Sequence, residues 1–407
     1  MSDQPASLAP SALLDTAPKE RVYNIPQACD AIRAAGRSPA GCFFEWLKLR
    51  LGKNSLAPGD YLGMKLWDRA LYPEARLETF IGKDQKALQT WNKANFIPEL
   101  QALASSKLAA DGILSAHGLP VVPVLGFHAA QILPGNGRTT TPEQLESFLL
   151  HDLVYPAFGK PLWGIQSLGS VSLESRDAAA GTVTLQGGRT VKAADLAREI
   201  HAAYMFEGYV FQPRLKPHPD VRAVCGDRVA SVRVVTIMSA KHGPCVFRTC
   251  WKIPGGTSTA DNFWRGGNIL AGIDMESRTV KRALTGAGAN LRAVETHPDT
   301  GARLIGLKVP LWQEICTAAL FGAAALSGFG LLGWDVAATE DGPVILDVNE
   351  RPDLTMNQMA DGQGAIDETF GEFLAERAAA RKAWKKSTRD ALRRNMKIVY
   401  EFSRPKE

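Results

Sequence analysis

The sequence predicts an α+β fold: two mixed lobes, with helices before the first and after the second. Three features predict it. Helix starts recur over residues 21–100 while strand-like alternation is scarce; helices and apolar strands intermix over 101–212; and the stretch to 349 is strand-rich before the chain turns helical at 367–400. With 407 residues, 45% hydrophobic and 22% charged, the chain has the size and balance of a globular protein of two or three domains. The expected division is a flexible leader at 1–20, a helical accessory region at 21–100, a first lobe at 101–212, a second at 213–375 and a basic helical tail at 376–407.

Each element has a local reason. In the accessory region, helices are expected over Ala28 to Ala35, Phe43 to Leu51, Tyr61 to Leu71 behind an Asp60 cap, and Asp84 to Phe96. Lys107 to Ala116 reads as a helix that His117-Gly118-Leu119-Pro120 breaks before an apolar strand, Val121 to Phe127. Thr141 caps a helix over Pro142 to His151, and the strand Leu153 to Lys160 follows. A helix over Ala193 to Phe206 and the apolar run Tyr209 to Gln212 close the first lobe. In the second, strands are expected at Val229 to Met238, Cys245 to Ile253 and Ile269 to Ile273, with one clear helix at Leu311 to Leu326 and a final hairpin.

Ile315 to Trp334 is an uncharged run long enough to span a bilayer. Its four glycines, and the strand that follows at once, favour a buried helix running into a buried strand. The six cysteines form no CxxC pair and no secretory pattern opens the chain, so a reduced, cytoplasmic protein without zinc is expected. Residues 376–407 hold eleven Lys/Arg against four Asp/Glu, a local +7 that leaves −2 for the remainder of a chain whose total is +5. The body is nearly neutral, which argues against nucleic acid as a partner; the tail reads as a solvated helix face or as a surface for an acidic partner.

The chemistry gathers in GWDVAATEDGPVILDVN, residues 333–349. Two short strands, Trp334 to Thr339 and Pro343 to Val348, meet at Glu340-Asp341-Gly342. Side chains alternate along a strand, so Asp347 and Asn349 share a face, and Asp335 faces them if the hairpin pairs. Two carboxylates and an amide oxygen suit Mg²⁺, with Mn²⁺ as the alternative; the same stretch also reads as an exposed hairpin with acids near its turn. Elsewhere, Phe158-Gly159-Lys160-Pro161 puts a lysine at a strand end, directly before the small-residue loop Ser167-Leu168-Gly169-Ser170, whose N–H groups can surround phosphate. Arg233 alternates with apolar neighbours in SVRVVTI, Arg248 and Lys252 do so on the next strand, and Arg265 sits in the donor-rich DNFWRGGN loop; arginines of this kind suit carboxylate or phosphate.

Other motifs fail. No GxxxxGK[ST], GxSxG or HxxxH occurs. Gly328, Gly330 and Gly333 spell GxGxxG, but they follow a helix and enter a strand, the reverse of a dinucleotide site, so they read as packing glycines.

Taken in order, these pieces resemble the ATP-grasp superfamily. Lys107, in SSKLAADGILSAHGLPVVPVLG, resembles its first phosphate-binding lysine, and Lys160, in FGKP, the second, followed by the glycine-rich loop at Ser167, Gly169 and Ser170. Val210-Phe211-Gln212-Pro213 resembles the hinge between lobes whose backbone reads adenine. No acidic residue adjoins Gln212, which leaves Asp220 as the ribose partner. Asp335, Asp347 and Asn349 resemble the Mg²⁺ set, with Asp347 where many members carry Glu. SVRVVTI, DNF…RGGN…GID and RPDLTMNQ are most similar to the sugar-transfer-associated ATP-grasp family, with a looser likeness to RimK-type ligases.

The resemblance implies an ATP-grasp fold, two α+β lobes clamping ATP, and an ATP- and Mg²⁺-dependent carboxylate–amine ligase working through an acylphosphate. Small-molecule acid and amine substrates go with it. Arg233, Arg248 and Arg265 are then expected to hold the acid and steady the acylphosphate. The alternatives are a phosphotransferase of the same superfamily, or a non-catalytic nucleotide-binding module.

Overall fold

The computed structural model describes residues 13–14, 24–53, 55–83, 85–131, 137–163, 168–256, 261–264 and 266–402. Ser167 and Arg265 lie outside them. Six helices come first: α1 (Ile25–Ala34), α2 (Pro39–Leu51), α3 (Pro58–Gly63), α4 (Gln85–Ala94), α5 (Pro98–Ser105) and α6 (Lys107–Ala116). Ser38 and Ser106 cap α2 and α6 through their hydroxyls, and proline occupies the first turn of α1, α2, α3 and α5.

The helix expected over Tyr61 to Leu71 ends at Gly63 instead, where Lys65 takes a left-handed φ of 55° that no helix continues through. Asp60 is not its cap. It lies inside α3, and its Oδ2 accepts from the Lys83 backbone N–H at 3.1 Å.

The first lobe contains β1 (Gly126–His128), β2 (Arg138–Thr139), α7 (Pro142–Ser147), β3 (Ala157–Pro161), β4 (Val171–Asp177), β5 (Thr182–Leu185), β6 (Thr190–Lys192), α8 (Ala193–Tyr204) and β7 (Tyr209–Pro213). Its strands form one sheet in the order β2-β1-β7-β3-β4-β5-β6, with its own core around Phe148, Leu173, Leu196, Tyr209 and Phe211. The strand expected from Val121 shortens to β1, since Pro120 and Pro123 lack the N–H a ladder needs. Val121 makes instead a single bridge to Ile345, and the Ile345 N–H donates to Pro120 O at 2.8 Å. The chain therefore crosses between lobes here.

The second lobe contains α9 (Pro219–Cys225), β8 (Ser231–Ser239), β9 (Gly243–Ile253), β10 (Ile269–Asp274), β11 (Thr279–Thr285), β12 (Arg292–Ala293), α10 (Trp312–Ala325), β13 (Leu331–Thr339), β14 (Gly342–Asn349), α11 (Leu354–Asp361) and α12 (Glu368–Phe402). Its sheet runs β12-β11-β10-β9-β8-β13-β14. The uncharged run becomes α10 followed by the fully buried β13, as expected, and among the described residues no helix is long and apolar enough to cross a membrane. The three glycines before and within β13 do serve packing. A Cβ would lie 2.2 Å from the Leu100 side chain at Gly328, 2.3 Å from Ala94 O at Gly330 and 2.5 Å from Pro352 at Gly333.

The helical region shares a core with this lobe: Trp67, Tyr72 and Phe80 pack with Phe263, Trp264, Leu270 and Met356. Buried Asn95 stitches the two together. Its Nδ2 donates to Leu331 O at 2.7 Å and Glu350 O at 2.8 Å, while its Oδ1 accepts from the N–H groups of Gly330 and Leu331 at 2.8 and 2.9 Å. One side chain thus fixes the start of β13 and the end of β14, all four of its hydrogen bonds being made.

Candidate active site

A cleft of about 620 Å³ is lined by residues of both lobes. Its second-lobe wall is the hairpin β13–β14. Asp335 pairs directly with Asp347 and Gly333 with Asn349, so the two carboxylates and the carboxamide share one face, as the alternation predicts. Next across the sheet, Arg233 of β8 pairs with Asp335 and Cys250 of β9 with Arg233.

Asp335 is locked. Arg233 grips it with two parallel hydrogen bonds, Nε to Oδ1 at 2.6 Å and Nη2 to Oδ2 at 2.9 Å, and Lys252 Nζ stands 3.1 Å from Oδ1. Burial alone would push this carboxyl up, but Arg233 and Lys252 hold it well below the usual carboxylate range. Lys252 lies 3.4 Å from Asp261, which Ser231 also holds by its N–H and hydroxyl. Burial raises the Asp261 carboxyl, with Lys252 opposing.

The remainder of the site is looser. Lys107, at the first turn of α6, approaches Asp347 only to 3.4 Å. Lys160 ends β3 on the opposite wall; among the described residues no hydrogen bond or ion pair holds its ammonium. Burial draws its pKa down, with Asp347 offsetting part of that. Asp111 stands one helical turn from Lys107, and burial pushes its carboxyl up to about 6, Lys160 opposing. The Asn349 Nδ2 is buried with no partner among the described residues. A 180° flip exchanges Nδ2 with Oδ1, so this amide end is open to a ligand of either polarity.

The donor set fits a hard cation. Asp347 and Asn349 offer oxygens to it, with Asp335 directly across the hairpin. Among the described residues no three His, Cys, Asp or Glu side chains form a metal cage.

The glycine loop enters from the first lobe. Gly169 has φ +75°, a Cβ there would fall 1.9 Å from the Tyr204 hydroxyl, and the Tyr209 hydroxyl donates to Gly169 O at 2.9 Å. Leu168 and buried Ser170 line the cleft beside Lys160.

Several expected residues are placed elsewhere. Val210 and Phe211 belong to the first-lobe interior, on a strand paired on both sides by β1 and β3; the cleft wall on this strand begins at Gln212 and continues to Leu215. Asp220 does not line the cleft; it lies in the first turn of α9, largely exposed, with His218 Nδ1 3.7 Å away. Arg248 shares the sheet face of Arg233 but pairs with Val235, two pairs further along the strands. There it meets Asp361 at 3.5 Å and Asp367 at 2.5 Å, away from the cleft. Residues to which sequence reasoning gave no role are Asp111, Asp261, Trp264 and Asp353, all inside the quoted motifs. Asp111 alone had a local signal, its four-residue spacing from Lys107 on the expected helix.

Comparison with solved structures finds D-alanine–D-alanine ligase from Coxiella burnetii at 12% identity and TM-score 0.41, covering 71% of this chain and 62% of that one. The corresponding ligase from Bacillus anthracis gives 12% and 0.39, covering 76% and 79%. Biotin carboxylase from Campylobacter jejuni gives 13% and 0.44, covering 87% and 68%. The chain thus spans just under two thirds of the length of the Coxiella enzyme. No curated protein matches the chain in sequence. The family model that matches is the sugar-transfer associated ATP-grasp family, over residues 191–371, a stretch that includes Arg233, Lys252 and the whole β13–β14 hairpin and bears out the resemblance read from the motifs.

Proposed function

We propose that this chain is an ATP-dependent ligase that activates a carboxylic acid as its acylphosphate and joins it to an amine. The observation that carries the reading is Lys160. A half-buried ammonium without a hydrogen-bond or ion-pair partner among the described residues stands in a cleft facing Asp347 and Asn349, and an anion joining it offsets the cost of that burial. Phosphate oxygens supply that anion, and Lys107, at the head of α6, adds a second point charge. Gln212 to Leu215 form the wall left for the base.

Mg²⁺ held by Asp347 and Asn349, with Asp335 behind them, would neutralise phosphate charge and polarise the transferred group. The protein's own part is positioning. Arg233 is the one expected arginine of the two described that lines the cleft, and its bidentate bond to Asp335 fixes its guanidinium beside the hairpin for an incoming carboxylate. Leu168 and Ser170, next to Lys160, place the glycine loop where it can exclude water that would otherwise hydrolyse an acylphosphate.

Purified protein is expected to turn over ATP only with Mg²⁺ and a carboxylic acid present, and Asp347→Ala is expected to abolish that turnover. Persistent turnover in the variant would sink the metal assignment. Phosphorus NMR separates the reaction from simple phosphotransfer, because a ligase releases inorganic phosphate in step with amide formation.

A further inference from the structure

Lys83, from the helical region, places its ammonium 3.7 Å from the centre of the Trp264 ring and 2.7 Å from Asp353 Oδ2. An aromatic face and a carboxylate are the two groups that best recognise an ammonium ion. Both are held rigidly. Trp264 Nε1 donates to Asp353 Oδ2 at 2.9 Å, and the Thr355 N–H donates to Oδ1 at 3.1 Å, where Asp353 caps α11. Burial alone would raise the Asp353 carboxyl; Lys83 leads the neighbours that lower it. The corner is a built ammonium site, and the chain fills it itself.

Two observations mark that occupant as exchangeable. The Lys83 side chain is 40% exposed while Asp353 is 22% exposed, so the cation sits on a flexible stem at the outer side of the pair. Trp264 also separates two spaces: the main cleft, which Asp353 lines as well, and a second cavity of about 340 Å³ lined by Lys83, Thr355, Asp60 and Met64. Lys83 stands at that partition. Withdrawing one side chain opens the ring face and the carboxylate to a small molecule with room beside it.

We propose that the Trp264–Asp353 corner binds the ammonium group of the amine substrate, and that Lys83 is a stand-in which the substrate displaces. This rests on the ligase reading, to which it adds the place of the amine. The helical region is then part of the active site, since it supplies both Lys83 and one wall of the second cavity.

The test uses methylammonium chloride as the probe, with sodium chloride at equal ionic strength as the control. Lys83→Ala empties the corner, and the probe is expected to raise the unfolding midpoint of that full-length variant by about 2–4 °C. Wild-type protein, whose own lysine competes, and the double variant Lys83→Ala/Trp264→Leu are expected to shift by less. Equal shifts in all three, or none in Lys83→Ala, overturn the site. If Lys83→Ala does not fold, Lys83→Met keeps the stem, and line broadening of the probe in ligand-observed NMR replaces the midpoint, with the same comparison deciding. A probe response without any ATP chemistry would leave the ammonium site standing and remove the ligase reading, so the two fail separately.

Discussion

Asp335 and Asp347 stand opposite each other on neighbouring strands, alike in character but not in surroundings. Asp335 is buried and gripped by Arg233 and Lys252 at 2.6–3.1 Å. Asp347 is half-buried, with Lys107 no closer than 3.4 Å and, beyond it, Lys160 and the Asn349 amide nitrogen, neither with a partner among the described residues. A matched network makes its contribution in the empty protein. An unmatched one is completed by a ligand. The first half of the cleft holds the sheet and its arginine in place; on the reading proposed above, the second is the half that would meet phosphate and metal.

The largest effect should come from attacking the matched half. Asp335→Ala strips buried Arg233 of its bidentate partner and leaves buried Lys252 only Asp261 at 3.4 Å, and we expect it to destabilise the fold by about 3–5 kcal/mol in denaturant titrations. Asp347→Ala removes only a loose pair, worth about 0–1 kcal/mol, and should fold like the wild type while losing ATP turnover. Equal destabilisation by both variants would erase the distinction between the halves.

How much of this was legible in the chain follows from range. The hairpin, the Lys107 helix and the Lys160 strand end are local patterns, and each appeared with the face or terminus expected of it. The grip on Asp335 comes first from Arg233, 102 positions away along the chain, so no local pattern distinguishes it from Asp347. Arg248 misled because its alternation is sound. It shares the face of Arg233, yet the register sets it two pairs further on, where Asp361 at the end of α11 and Asp367 take it up. Val210 and Phe211 misled for a similar reason: their apolar character marks a strand with neighbours on both sides, whose backbone the sheet already uses. Asp220, named from the resemblance, lies in the first turn of α9, largely exposed and apart from the cleft lining.

Lys160 sharpens the comparison from the other side. Its charge is disfavoured by burial, so Lys160→Met should leave the empty protein at least as stable as the wild type. Turnover is expected to fall by about 10²–10³-fold, the usual effect of deleting one preorganised donor to developing charge. A loss of stability together with activity would show the ammonium to be part of the matched network after all.

The smallest effect concerns Asp111, whose carboxyl burial pushes up to about 6. A folded-state pKa above the unfolded value means that the group contributes stability which is fully present below the ordinary carboxylate range and is lost as pH rises through about 6. Asp111→Asn removes the ionisation. The variant and the wild type should therefore unfold alike near the ordinary carboxylate pKa, with the variant gaining steadily to pH 6 and holding its advantage above it. Chemical unfolding of the two proteins across that range reads the difference directly. Bound nucleotide should enlarge it and carry it to higher pH: phosphate occupying Lys160 offsets the positive charge that now opposes the upward shift, leaving Asp111 protonated to higher pH. A difference that grows toward acid instead would mean that Lys160 and Lys107 outweigh burial, and that Asp111 belongs with Asp335 among the groups already matched in the empty protein.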